Sequence, residues 1–279
     1  MSNNTTNNSE LFAPLVTQAE FAAYENSVAR QIVTVFDAPL NTGKILQVPV
    51  WSSITAQLIT NEAAASAQDT NTTKADITLA EHVVYHQVTD MLRDSAYYDV
   101  MSQLGDQSGR AIAESMDSQV FSLFPSFTQS VGSTGAEVTV DSILQAAATL
   151  RSNKLTGPFF AVLHPKVAYN IKKQLTYSSQ TNVPALSIVG DSVLSAFYIG
   201  QIGGVTIIES SLLGIDTDND SVGAVFARSA LGHAMRGGIA MEATRQSQNR
   251  ATDVTLTAVA GAQILQASHG VKIIGDAAL

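Results

Sequence analysis

The chain has 279 residues, a mass of 29.4 kDa and 45% hydrophobic residues, enough for a sizeable core and too many for a disordered protein. Charged residues are only 14%, against roughly 25% in an ordinary soluble domain, so little like-charge repulsion keeps copies apart and the composition points to a subunit that buries surface against itself. With 15 Lys+Arg against 24 Asp+Glu, a net charge of −9 and no cysteine, the chain excludes phosphate-driven nucleic-acid binding, disulfides, thiolate nucleophiles and cysteine zinc sites, though not a protein that merely surrounds nucleic acid.

Residues 1–10 are polar, without the basic and apolar regions of a secretory signal. No apolar run reaches the ~18–20 residues that span a bilayer. The chain is therefore expected to be made and kept in the cytoplasm, with no membrane partner. From Leu15 to Phe36 the apolar spacing is helical or mixed, and Pro39, Asn41 and Gly43 break it. This segment cannot form its own core, so it reads as an arm gripping a neighbour, which would cover Phe12, Leu15, Phe21, Ile32 and Phe36.

Strand character begins at Lys44 with Ile45, Val48, Val50 and Ile54, and resumes at Ile77, Leu79, Val83, Val84 and Tyr85. Between them lies a polar tip carrying Glu62, Asp69 and Lys74. The pair reads as a β-hairpin with a long connection, and an isolated hairpin is marginal in water, so it is expected to rest on a neighbour. The clearest helix runs from Tyr98 to Phe124, with Val100, Leu104, Ile112, Met116, Val120 and Phe124 on one stripe. Asp94 or Ser95 can cap it and Pro125 ends it. Gly105 and Gly109 inside it mark either the close approach of another backbone or a bend.

A Gly/Ser/Thr linker at 130–135 marks a boundary to a unit of mixed α/β character. Val140–Ser152 and Lys166–Leu175 read as helices, and Phe159–His164 as a buried strand ended by Pro165. A polar loop follows from Tyr177 to Asn182. The glycines at 200, 203 and 204 form a turn into the strand ending at Ser210, and Val222–Ala227 is a further strand. Ile239–Gln246, Thr252–Ala260, Gln263–Val271 and Lys272–Ile274 read as returning strands. The fold class is α+β with a discontinuous domain.

No catalytic constellation, cofactor site or metal site emerges. His82 and His86 have ligand spacing only on a helix. On the strand that Val83, Val84 and Tyr85 favour they share a face but stand about 13 Å apart. Asp216-Thr-Asp-Asn-Asp220 resembles the front of a calcium loop, but Ser221 stands where glycine is required and Ala227 where a bidentate Glu should sit. A solvated acidic turn is the better reading. The glycines at 200–204 precede a strand, whereas a phosphate cradle opens a helix. His164 reads as a hydrogen-bonded loop residue, and His233 and His269 have no neighbours in sequence that would make them bases.

Three stretches have family counterparts: Val88-Thr-Asp-Met-Leu-Arg-Asp-Ser95 before the long helix, Phe159-Phe-Ala-Val-Leu-His-Pro165 at a strand-to-helix entry, and Ile202-Gly-Gly-Val-Thr-Ile-Ile-Glu-Ser210. With the order of elements, they make the chain resemble a tailed-bacteriophage major capsid protein of the Hong Kong 97 type over nearly its whole length. The resemblance implies an N-terminal arm at 1–43 and an extended hairpin loop at 44–82. It implies a peripheral domain at 83–135 and 228–264 with a spine helix at about 98–124, and an axial domain at 136–227 and 265–279.

The implied protein is the virion capsid subunit, assembled in the host cytoplasm into the icosahedral head of a tailed double-stranded DNA phage. Its partners would be copies of itself in pentamers and hexamers, a portal protein at one vertex and a decoration or cement protein. It would enclose double-stranded DNA without sequence-specific binding, and it would not be an enzyme. Some relatives carry a long charged N-terminal scaffold that is cut away, whereas the short polar tail here implies a separate scaffolding protein. Some also link a hairpin lysine to a neighbour's asparagine, for which Lys74 and Asn249 are the matching positions, the simpler expectation being that Lys74 pairs with a neighbour's carboxylate. The alternatives are an encapsulin-type shell around an enzyme cargo and, remotely, a soluble metal-dependent enzyme using His82, His86 or the Asp216–Asp220 cluster.

Overall fold

A computed structural model describes residues 16–23, 27–40, 43–51, 54, 56–59, 64, 66–67, 72–95, 100–177 and 200–278. The expectations for Phe12, Leu15, Glu62, Asp69 and the loop after Tyr177 lie outside these residues. The elements in chain order are α1 (16–23), α2 (Ala29–Ile32), β1 (Thr34–Asp37), β2 (Ile45–Trp51), β3 (Thr72–Thr78), β4 (Ala80–Thr89), α3 (Asp90–Ser95), α4 (Val100–Phe121), β5 (Gln129–Gly132) and α5 (Val140–Ser152). They continue with β6 (Phe159–Leu163), α6 (Pro165–Tyr177), β7 (Gln201–Ile202), β8 (Val205–Glu209), β9 (Asp220–Ala227), β10 (Leu231–Gln246), β11 (Ala251–Ile264) and β12 (Gly270–Asp276).

The strands form a four-stranded sheet in the order β1-β10-β11-β4, a six-stranded sheet in the order β5-β12-β9-β6-β8-β7, and the β2-β3 hairpin. α4 covers one face of the four-stranded sheet. Its Ile112, Ala113 and Met116 pack on Val254, Leu256, Ala258 and Ala260 of β11, which alternate along the strand as the pleat requires. The predicted helix from Tyr98 to Phe124 is described as Val100–Phe121, and a 3-10 turn at Phe124–Ser126 follows. Pro125 is the cause, because its ring bars the helical geometry of the residues before it.

The six-stranded sheet is covered on both faces. Phe159, Ala161 and Leu163 of β6 pack with Ile143, Ala147 and Leu150 of α5 and with Val167, Ala168 and Ile171 of α6. Val162, pointing the other way, joins Ala224 and Phe226 against Phe121, Phe124 and Phe127. α5 starts with a reciprocal cap in which Thr139 Oγ1 accepts from Ser142 N (3.2 Å) and Ser142 Oγ accepts from Thr139 N (3.3 Å). The aromatic cluster at the end of α4 thus ties one sheet to the other.

Four expectations are corrected. The segment read as an arm across a neighbour is, over 16–23 and 27–38, packed on its own chain. β1 pairs in parallel with β10, Thr34 against Gly232 through Asp37 against Met235, and Ala19, Ala22, Ala23, Ala29, Ile32, Val33 and Ala38 are buried. The reason is the run of alanines, small enough for α1 to lie directly on α4; a Cβ at Gly109 would stand 2.9 Å from Ala19 Cα. Gly109 therefore marks a close approach. Phe21 remains 62% exposed.

The linker at 130–135 is partly strand, since β5 pairs with β12 from Gln129↔Val271 to Gly132↔Ile274. With only Val131 buried on it, so short an edge strand has no readable alternation. The strand expected to begin at Ile239 begins at Leu231 and passes a bulge between Arg236 and Ala240, where Gly237 has φ +66. A glycine pair reads as a break in sequence and serves here as a bulge. Correspondingly, the strand read over Gln263–Val271 is the end of β11, a turn, and the start of β12.

Candidate functional site

The residues that sequence alone nominates for chemistry are engaged in holding elements together. His82 and His86 point from β4 to the overlying helix, where His82 Nδ1 meets Ser115 Oγ at 2.7 Å and His86 Nε2 meets Ser108 Oγ at 2.9 Å. Four strand residues, about 13 Å, match seven helix residues, about 10.5 Å, so the two bonds fix the register of α4 on the sheet. Burial lowers the pKa of His82.

The acidic turn is an Asx turn. Asp216 Oδ1 accepts from Asp218 N (3.0 Å) and Asp220 N (2.8 Å), while the carboxylate of buried Asp220 accepts from Gly135 N (2.9 Å). Asp220 thereby stitches β9 to the loop before α5. Among the described residues no group of three or more His, Asp or Glu could hold a metal ion. The glycines at 203 and 204, with φ +58 and +86, turn β7 into β8. His164 Nδ1 accepts from Lys166 N (3.2 Å), and His269 Nδ1 bonds Ser229 Oγ (2.8 Å). Lys74 Nζ lies 3.8 Å from Asp76 Oδ2 on its own strand, and Asn249 donates to Gln246 Oε1 (2.9 Å) at the β10–β11 tip.

Two ties were not visible in sequence. Arg245 makes a bidentate pair with Asp90 (2.6 Å to each oxygen), so the tip of β10 holds α3. Asp117, 3% exposed on α4, accepts from Ser27 Oγ (2.8 Å), Val28 N (2.8 Å) and Ala29 N (3.3 Å). Its carboxylate caps α2 and clamps the N-terminal segment to the long helix. The available signal was Asp117 interrupting the apolar i, i+4 row of Ala113 and Phe121. Burial raises its pKa, and the three donors oppose that rise. Asp117→Ala leaves those donors without an acceptor and is expected to cost about 2–4 kcal/mol. Urea unfolding of the subunit measures it, and a loss below about 0.5 kcal/mol contradicts the clamp.

What remains unpartnered is apolar surface. Along the hairpin and its connection Ile45, Trp51, Ile54 and Ile59 are exposed, and Leu58 is 96% exposed. The hairpin base is anchored where Ile77 and Leu79 pack with Ala38 and Ala234. Met91 of α3 and Val83 and Tyr85 on the uncovered face of β4 add to this surface. Large apolar groups gathered on a projecting element mark sites of protein association.

The family model described as phage capsid protein matches residues 72–273. The chain belongs to the phage capsid protein family. No curated relative matches this capsid protein. Among solved structures it is similar to a chain of Mycobacterium phage Che8, with 18% identity and a TM-score of 0.64, covering 83% of this chain and 85% of that one. It is similar to a chain of the head structure of Helicobacter pylori bacteriophage KHP40, with 10% identity, a TM-score of 0.70 and 91% of both chains covered. A chain of the virus-like particle from Pyrococcus furiosus matches at 15% identity and a TM-score of 0.58, covering 95% and 99%. The capsid subunit thus has the Hong Kong 97-type fold. Among the described residues no helix is long and apolar enough to cross a membrane.

Proposed function

We propose that the chain is the major capsid protein of a tailed double-stranded DNA phage and that it works by packing, without catalysis. The observation that carries the reading is the projecting hairpin, whose Trp51 and Leu58 are 65% and 96% exposed in the single subunit. In a shell, copies of the protein supply the missing cover. In this reading the six-stranded sheet with α5 and α6 forms the axial lobe around the axis of a pentamer or hexamer, and α4 with the four-stranded sheet forms the peripheral lobe. The hairpin at 44–82 lies across an adjacent subunit.

With a net charge of −9, the subunit encloses DNA without gripping it, since no counterion-releasing cation cluster is present in its composition. A separate scaffolding protein guides assembly, a portal protein occupies one vertex, and a decoration or cement protein binds the finished shell. A second reading is favoured by the likeness to the Pyrococcus particle, namely a shell of the same fold that encloses protein. The content of purified particles separates the two. Nuclease-protected double-stranded DNA is expected; a stoichiometric enzyme cargo with no DNA would overturn the phage-head reading in favour of the second.

A further inference from the structure

Beneath the N-terminal segment lies a titratable group that neither assembly nor register uses. His233, on β10, is 3% exposed and its Nδ1 has no hydrogen-bond partner. A cavity of about 220 Å³ opens beside it, walled by Glu20 of α1, Ser27 and Arg30 at α2, Met116 of α4 and Met235 of β10. His233 and His82 stand opposite Ala262 and Ala258 of β11, so both imidazoles occupy the α4-facing side of the sheet. We propose that His233 and its cavity form a proton-responsive latch, in which protonation of this imidazole drives residues 16–23 and 27–32 off α4 and the sheet.

The groups facing His233 make the closed arrangement hostile to an imidazolium. Arg30 on α2 and His82 on β4 are cationic or become so, and β11 presents alanines. The carboxylate on the cavity wall, Glu20, is drawn to the β10 bulge, where a Cβ at Gly238 would collide with its Oε1. Asp117 on α4 is occupied by Ser27, Val28 and Ala29. Burial first, then Arg30 and His82, lower the pKa of His233 from 6.5 to about 4. The closed state therefore binds this proton less readily than the open one. Its preference is complete above pH 6.5 and is lost as pH falls from 6.5 to about 4, about tenfold per pH unit. Asp117 works in the opposite sense, because burial raises its pKa and proton uptake there favours the closed state.

The wall that yields is the N-terminal one. α1 and α2 contribute Ala19, Ala22, Ala23, Ala29 and Ile32 to the core, and the four alanines lose far less on exposure than the Ile and Leu side chains joining α4 to the sheet. Opening that side lets water reach the imidazolium while both sheets stay intact. The device goes beyond the shell reading and stands whether or not particles form.

Backbone hydrogen exchange of the full chain between pH 7.5 and 4.5, corrected for intrinsic rates, tests it. In the natural sequence, protection of the amides in 16–23 and 27–32 is expected to fall about tenfold per pH unit below 6.5 relative to those of α5 and β6. In His233→Gln the relative protection is expected to be flat. Exchange at the imidazole C2 position of the unmodified chain gives the His233 pKa without any substitution, and a value near 4 is expected. Equal pH dependence in both chains, or a His233 that titrates at or above 6.5, overturns the latch.

Discussion

Replacing Phe124 by alanine is expected to destabilise the subunit by about 3–5 kcal/mol. Phe124 is 0% exposed, and its ring centroid lies 5.4 Å from that of Phe121, 6.3 Å from Phe127 and 5.5 Å from Phe226. The substitution deletes a whole ring from the centre of that cluster and leaves a cavity that the rigid sheet on one side and the helix end on the other cannot close. Because the cluster joins α4 to the six-stranded sheet, the loss falls on the junction between the two sheets as well as on either alone. Such a loss is a large part of the roughly 5–15 kcal/mol that holds an ordinary domain. Urea unfolding of the isolated subunit measures it. A cost below about 1 kcal/mol would mean that the aromatic cluster does not carry the junction.

The opposite pattern is expected at the hairpin. The double substitution Trp51→Asp with Leu58→Asp should leave subunit stability within about 0.5 kcal/mol, because both side chains are exposed there and substitutions away from buried partners are usually neutral. Assembly, by contrast, should be lost. Each carboxylate would have to be dehydrated against a neighbour without a partner, a penalty of several kcal/mol per site, and a closed shell repeats that penalty in every copy. Light scattering against protein concentration reads this out. Particles forming at the same concentration as with the natural sequence would show that the hairpin does not lie at an interface between copies.

How far the fold was legible depended on whether an element announces itself within one stretch of chain. α4 did, through a long proline-free stripe with Pro125 behind it; α5 did, and β6 did through an apolar run ended by Pro165. β1 and β5 did not, because a four-residue strand with at most one buried side chain carries no readable periodicity, and each is made a strand by a partner about 140 to 200 residues away in the chain. The bulge in β10 was misread because Gly237-Gly238 carries the same signal as a turn. Residues 16–38 were assigned to a neighbour because their large apolar residues drew attention, while the alanines that bury them on α4 did not.

The same logic governs the site. The strand spacing of His82 and His86 was legible in sequence, whereas their serine partners on α4 were not. The clamp at Asp117 and the pair Arg245–Asp90 join residues 88 to 155 positions apart, and no local signal names their partners. The surface on which the functional reading rests was legible in outline, since a hairpin unable to stand alone and a charge fraction of 14% both point to a subunit that needs copies of itself.

The most direct test of the central claim is the size of the expressed protein, alone and with a candidate scaffolding protein, by light scattering and negative-stain microscopy. The shell account predicts closed icosahedral particles tens of nanometres across in at least one of the two conditions. A stable monomer or dimer in both would contradict it.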